Sequence, residues 1–363
     1  MLVTQAEPRV FGLDVLRAMA IILVLISHGR HFLVNDVPLV TVCRIGGFYG
    51  VELFFVLSGF LIGSILLKLN KRLESLNGLL YFWKRRWYRT LPNYYLFLFV
   101  SSIVSLLLST TLPNFLVFLP FLQNFAWEHP TFFAESWSLA VEEWFYLLFP
   151  IGLYFSGKTS LDIRRSFLLL SLVFLIGPTL LRYIHVHVEN PTWDQGVRKI
   201  MVLRLDAIMF GMLAAWVKRE WPTIWPNIAK PLLIPGLILI GWASWLFLGS
   251  SLDQSIFCRV WLFTIVSFGF VCFIPYCDLW TVSRESFATA VFRNLALWSY
   301  SLYLSNSTIF YMINRYVTQG RLEMRYMSYT LFFIISLALS ALCYRYFEKP
   351  VMDRRDRLSE IHS

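Results

Sequence analysis

The stretch FGLDVLRAMAIILVLISH, residues 11–28, is apolar enough to enter a bilayer and yet carries Asp14, Arg17 and His28. As a helix rising 1.5 Å per residue it measures roughly 27 Å, close to the ~30 Å hydrocarbon core of a membrane. An intramembrane charge costs several kcal/mol unless it is paired, so these three side chains cannot face lipid. At about 100° per residue, Arg17 and His28 differ by only about 20° around the helix and are roughly 16 Å apart along it. Asp14 falls on nearly the same stripe. That stripe turns toward protein or a cavity, and on these residues alone an Asp14–Arg17 ion pair and an interfacial hydrogen bond for His28 compete with a chemical role.

The same pattern continues along the chain of 363 residues, of which 57% are hydrophobic and 15% charged. Mean hydropathy is +0.61. Apolar runs between turn and charge clusters predict spans near 11–31, 46–68, 93–111, 136–156, 166–185, 200–217, 231–249, 256–275, 295–315 and 327–346. The expectation is an all-α polytopic membrane protein, a bundle of about ten transmembrane helices forming a single membrane domain over 1–363. There is no fixed-period repeat, low-complexity tract or long linker. With the N-terminus inside, 21 Lys and Arg fall in inner segments and 7 in outer ones, which predicts that both termini are cytoplasmic. Residues 69–92 then form the longest inner loop. Its FWKRRWYRTLP stretch reads either as a basic anchor on anionic lipid or as an anion-binding mouth.

The net charge of +10 does not indicate nucleic acid, because the basic residues are dispersed between apolar runs. Five cysteines without CxxC spacing suggest free thiols. His185 and His187 lie two apart with no carboxylate to complete a ligand set, so no metal is expected. The first apolar run lacks a cleavage signature and is expected to stay as a helix.

Further charges lie in other spans. SWSLAVEEWFYLLFP, residues 136–150, carries Glu142, Glu143 and Tyr146; adjacent carboxylates diverge by about 100°, so each needs its own partner. A carboxylate that orients a catalytic imidazole is one such use. GGFYGVELFFVLSGFLIG, residues 46–63, combines Glu52 with glycines suited to close helix packing. Arg204 and Asp206 in the sixth span are expected to pair across a cavity. No phosphate loop, GxSxG elbow or triad is present.

The ordered set FGLDVLRAMAIILVLISH, GVELFFVLSGFLIG, RRWYRTLP, SWSLAVEEWFYLLFP, RLDAIMFG, YSLYL and YRYFEKP resembles the acyltransferase 3 family of membrane-bound O-acyltransferases over nearly the whole chain, in a stand-alone form without a fused hydrolase-like domain. The resemblance implies a bacterial inner-membrane enzyme that passes an acyl group, usually acetyl, from cytoplasmic acyl-CoA to a hydroxyl of an envelope glycan or related acceptor, with no permanently bound cofactor. It implies that Arg86 and Arg89 meet the anionic end of CoA, that Arg17 lies deeper along its path, and that His28 is the base, with Glu142 or Glu143 orienting it. The chain departs from the family at Trp144, where Gln or His is frequent, at Glu52, where Asp is common, and at Ser305 and Asn306, where a His often follows YSLYL. Asn306 can hydrogen-bond but cannot carry a proton. A transporter or flippase of an envelope precursor is the main competing reading, with a non-catalytic scaffold behind it.

Overall fold

The computed structural model describes residues 9–33, 38–108, 114–158 and 162–361, and among these there is no strand. Each predicted span holds a helix: α1 (Phe11–Gly29), α2 (Pro38–Leu69), α3 (Leu76–Leu107), α4 (Ser136–Ser156), α5 (Ile163–Glu189), α6 (Asp206–Glu220), then, after the short α7 (Ile224–Ala229), α8 (Leu233–Gly249) and α9 (Ile256–Val271). The short α10 (Ile274–Leu279) precedes α11 (Phe287–Ile313), α12 (Arg325–Cys343) and α13 (Lys349–Ile361). Among the described residues, six segments are long and apolar enough to cross a membrane: Phe11–Phe32, Val40–Leu69, Leu76–Leu107, Arg164–Glu189, Ile256–Leu279 and Arg325–Arg357. Of the other four, α6 and α8 are shorter, while α4 and α11 are long but more polar.

Residues 69–92 are not a surface loop. From Ser75, whose hydroxyl caps the helix by accepting the Gly78 N–H at 3.1 Å, the chain runs as one 32-residue helix through Pro92. At 1.5 Å per residue that is about 48 Å, longer than the ~30 Å core. Its basic half finds protein partners, which is why the charge cluster does not break the helix. Arg85 lies 3.7 Å from Asp356 of α13, and Arg355 donates to the Arg85 carbonyl at 3.5 Å.

Helix α1 lies at the centre, packed between α2 and α11, while α2 also packs along α6. The α2–α6 approach depends on two glycines. A Cβ at Gly59 would sit 1.9 Å from the Ile208 carbonyl oxygen, and one at Gly211 would sit 1.9 Å from that of Val56. Backbone polar contacts fix the ends of the bundle. The Gly12 N–H donates to the Trp280 carbonyl at 3.0 Å, and Arg325 donates to the Leu33 carbonyl at 3.4 Å. Thus α12 runs antiparallel to α1, and the described chain ends share one end of the bundle.

Candidate active site

At the opposite end a cavity of about 420 Å³ opens among the ends of α1, α2, α4 and α11 and the 190–205 connection, with His28 on its wall. Nδ1 of His28 is hydrogen-bonded to Oδ1 of Asn306 on α11. The geometry also fixes the protons. Asn306 Nδ2 donates to the Leu302 carbonyl at 3.1 Å and to the Tyr303 carbonyl at 2.7 Å; a flipped amide would set oxygen against both. Oδ1 therefore accepts and Nδ1 carries the proton, so in the neutral imidazole the free lone pair is on Nε2 of His28. That tautomer is the one a general base requires.

Sequence reasoning passed over Glu135, which lies on the same cavity wall. It is 2% exposed; Oε1 accepts the Ser307 N–H at 3.1 Å, and Oε2 is buried without a partner. Beyond it Asp194 binds Arg198 at 2.5 Å and Lys199 at 3.0 Å. Burial alone would push the Asp194 carboxyl up, but the two cations outweigh it and hold the group well below the usual carboxylate range.

The glutamates of α4 do not orient His28, contrary to expectation. Glu142 accepts from Ser58 of α2 at 2.9 Å and from Arg86 of α3 at 3.3 Å. The Arg86 guanidinium lies over the Tyr146 ring at 4.2 Å, and Trp83 donates to the Tyr146 carbonyl at 3.0 Å. Glu143 is buried with Oε1 unpartnered. The glutamates, Tyr146 and Arg86 thus form a separate cluster between α2, α3 and α4. The α3 helix continues to Arg89, which is exposed and has no hydrogen bond or ion pair among the described residues. Arg17 of α1, half-buried and likewise without a partner, feels the charges of Arg89 and Arg86. Glu348 attracts both Arg17 and Arg89, but its Oε2 accepts from Ser301 at 2.8 Å and Asn93 at 3.2 Å, and neither arginine bonds it. Two guanidinium groups are thereby left with donors to spare, an arrangement suited to phosphate or another anion.

The remaining predicted residues serve other ends. Asp14 pairs with Arg9 at 2.6 Å instead of Arg17. Arg204 and Asp206 do not pair with each other. Arg204 binds Glu52 at 2.6 Å with both side chains fully buried, and Ser267 donates to the second Glu52 oxygen at 3.1 Å. Asp206 receives a fork from Arg182 at 2.9 and 2.8 Å, and Arg182 further donates to the Leu203 and Val260 carbonyls. These pairs bolt α2, α5, α6 and α9 together, and removing one partner of such a pair costs about 3–5 kcal/mol. Arg182, a lone cation in the apolar run of α5, was the signal available in the sequence. The described residues contain no group of His, Cys, Asp and Glu that could hold a metal, and all five cysteines are free thiols.

Comparison with known proteins bears on this arrangement. A family model described as an acyltransferase domain matches residues 10–345. The chain is 26% identical over 379 residues to the O-acetyltransferase OatA of Staphylococcus aureus strain NCTC 8325 / PS 47, an alignment covering 94% of this chain and 57% of that protein. It is 25% identical over 378 residues to a putative O-acetyltransferase of S. aureus strain COL, covering 93% and 56%. The chain therefore spans a little over half the length of these relatives. No solved structure matches it.

Proposed function

Because the chain belongs to the acyltransferase 3 family, we propose that it is a multi-pass O-acyltransferase of the bacterial plasma membrane that moves an acyl group, in the first instance acetyl, from cytoplasmic acyl-CoA to a hydroxyl of an envelope glycan. In this reading ten helices cross the bilayer with both termini cytoplasmic. The unpaired guanidinium groups of Arg17 and Arg89, with Arg86 beside them, receive the phosphates of CoA at the termini end. The pantetheine arm covers the roughly 16 Å of α1 between Arg17 and His28. Nε2 of His28 takes the proton of the acceptor hydroxyl as its oxygen attacks the thioester carbonyl. The tetrahedral intermediate expels the CoA thiolate, and His28 returns the proton to that sulfur. Glu142 and Glu143 act through Arg86, holding it at the donor path.

The observation that carries this reading is the His28–Asn306 hydrogen bond, which commits Nδ1 as donor and reserves Nε2 for the basic role in a residue at the wall of a cavity. The test is acyl transfer from radiolabelled acetyl-CoA in membranes holding the full chain and its native envelope. His28→Ala should lower labelling by roughly 10²- to 10⁴-fold with expression intact. Arg89→Gln should chiefly raise the acetyl-CoA concentration needed for half-maximal rate. Wild-type labelling by His28→Ala would sink the mechanism, and absence of any labelled product from the wild type would sink the activity.

A further inference from the structure

From the cavity around His28 we infer that the acceptor is anionic, with a carboxylate or phosphate that docks on Arg30 and Arg44 while a neighbouring hydroxyl meets the imidazole. The inference rests on the acyltransferase reading of that cavity. Arg30 follows directly from α1, and Arg44 stands on the first turns of α2; both line the cavity with His28. Three carboxylates among the described residues also line it, each bonded to groups other than Arg30 and Arg44. Asp194 is shared by Arg198 and Lys199, Asp253 accepts the Trp193 N–H at 2.7 Å, and Glu135 accepts the Ser307 N–H at 3.1 Å. Neither Arg30 nor Arg44 has a carboxylate partner among the described residues.

Both guanidinium groups nevertheless have contacts within the protein, although Arg44 is exposed. Arg30 donates to the Ser27 hydroxyl at 2.9 Å and to the Ser27 carbonyl, and Arg44 lies over the Phe247 ring at 5.2 Å. Arg30 also stands within Coulombic reach of Arg44 and Arg198, and of the Asp194 carboxylate, which shares the cavity with those cations. Arg30, Arg44, Arg198 and Lys199 line the cavity against three carboxylates, which leaves an excess of positive charge that a bound anion relieves, and each guanidinium of Arg30 and Arg44 keeps free donors to grip it. Glu135 adds a second recognition element. Its buried, partnerless Oε2 can accept a hydrogen bond from an acceptor hydroxyl, so the wall presents a cationic patch, a carboxylate acceptor and the imidazole together.

The shared chemistry of a sugar carboxylate and a lipid-linked phosphate calls for separate probes. Full-length protein in detergent would be tested by equilibrium dialysis against a glucuronic-acid oligosaccharide, its carboxyl-reduced neutral counterpart, and a prenyl phosphate beside the matching prenyl alcohol. The expected result is that one anion binds roughly tenfold or more tightly than its neutral partner, and which pair shows the preference identifies the source. Arg44→Gln and Arg30→Gln should each erase most of that preference, and Arg44→Lys should restore part of it, with unchanged elution on size exclusion as the check on folding. No preference in either pair, or a preference that survives both glutamine variants, overturns the inference. Acetyl-CoA turnover measured on the same wild-type sample separates the two claims: turnover without charge preference retires the anion subsite alone, and charge preference without turnover retires the acyl-transfer chemistry alone.

Discussion

A histidine that works as a base needs one ring nitrogen free and the other committed, and here the commitment is made by a residue 278 positions away in the chain. The spacing of Arg17 and His28 on α1 was legible in the sequence because both lie on one helix. The partner of His28 was not, because no local pattern tells which of several polar side chains on other helices comes to face it. Asn306 was visible only as a departure from the family pattern, and the α4 glutamates looked like better partners on chemistry alone. Asn306→Leu, which keeps the volume and removes the amide, should lower the maximal rate by about 10- to 100-fold while leaving the acetyl-CoA requirement near its wild-type value. Steady-state kinetics decide this. A proportionate change in the acetyl-CoA requirement with no change in maximal rate would place Asn306 on the donor path instead.

Between elements, the decisive contacts are close approaches and crossed ion pairs. At Gly59 of α2 a methyl group would meet the backbone of α6, whereas at Gly241 of α8 it would meet nothing within 4 Å. Both substitutions to Ala favour the helix intrinsically, so any difference between them reports packing. Gly59→Ala should destabilise the protein by roughly 1–3 kcal/mol, read as a lower midpoint of thermal unfolding in detergent, and Gly241→Ala should not. Equal midpoints would contradict the α2–α6 contact. The helices themselves were legible because apolar runs of bilayer length have few alternatives. Two features were not. The basic half of α3 looked like a loop because its charges have no use in lipid, and its partners in α13 lie some 270 residues away. Arg204 and Asp206, two apart in sequence, looked like a pair, but Arg204 stands before the helix that Asp206 opens, and each found its partner on another segment.

For the whole molecule, the arrangement separates two kinds of polar site. The unpaired arginines of α1 and α3 lie toward the end where the chain ends gather, and the His28 cavity lies at the other. If the bundle sits in the membrane as proposed, single cysteines placed at exposed Arg321 and at half-buried Asp353, in a background without the native thiols, should react with a membrane-impermeant maleimide from opposite faces. Labelling of Arg321→Cys in intact cells, with Asp353→Cys labelled only after permeabilisation, is the expected outcome. The reverse pattern would invert the topology, and labelling of both from one face would break the ten-crossing reading. This two-ended design also has an electrical consequence. In the proposed reaction the hydrogen leaves a hydroxyl on the outer side and departs with a neutral thiol on the inner side, while a neutral acetyl group travels outward. Each turnover is then an exchange of acetyl for hydrogen that carries no net charge across the bilayer, so the membrane voltage neither drives the reaction nor is discharged by it.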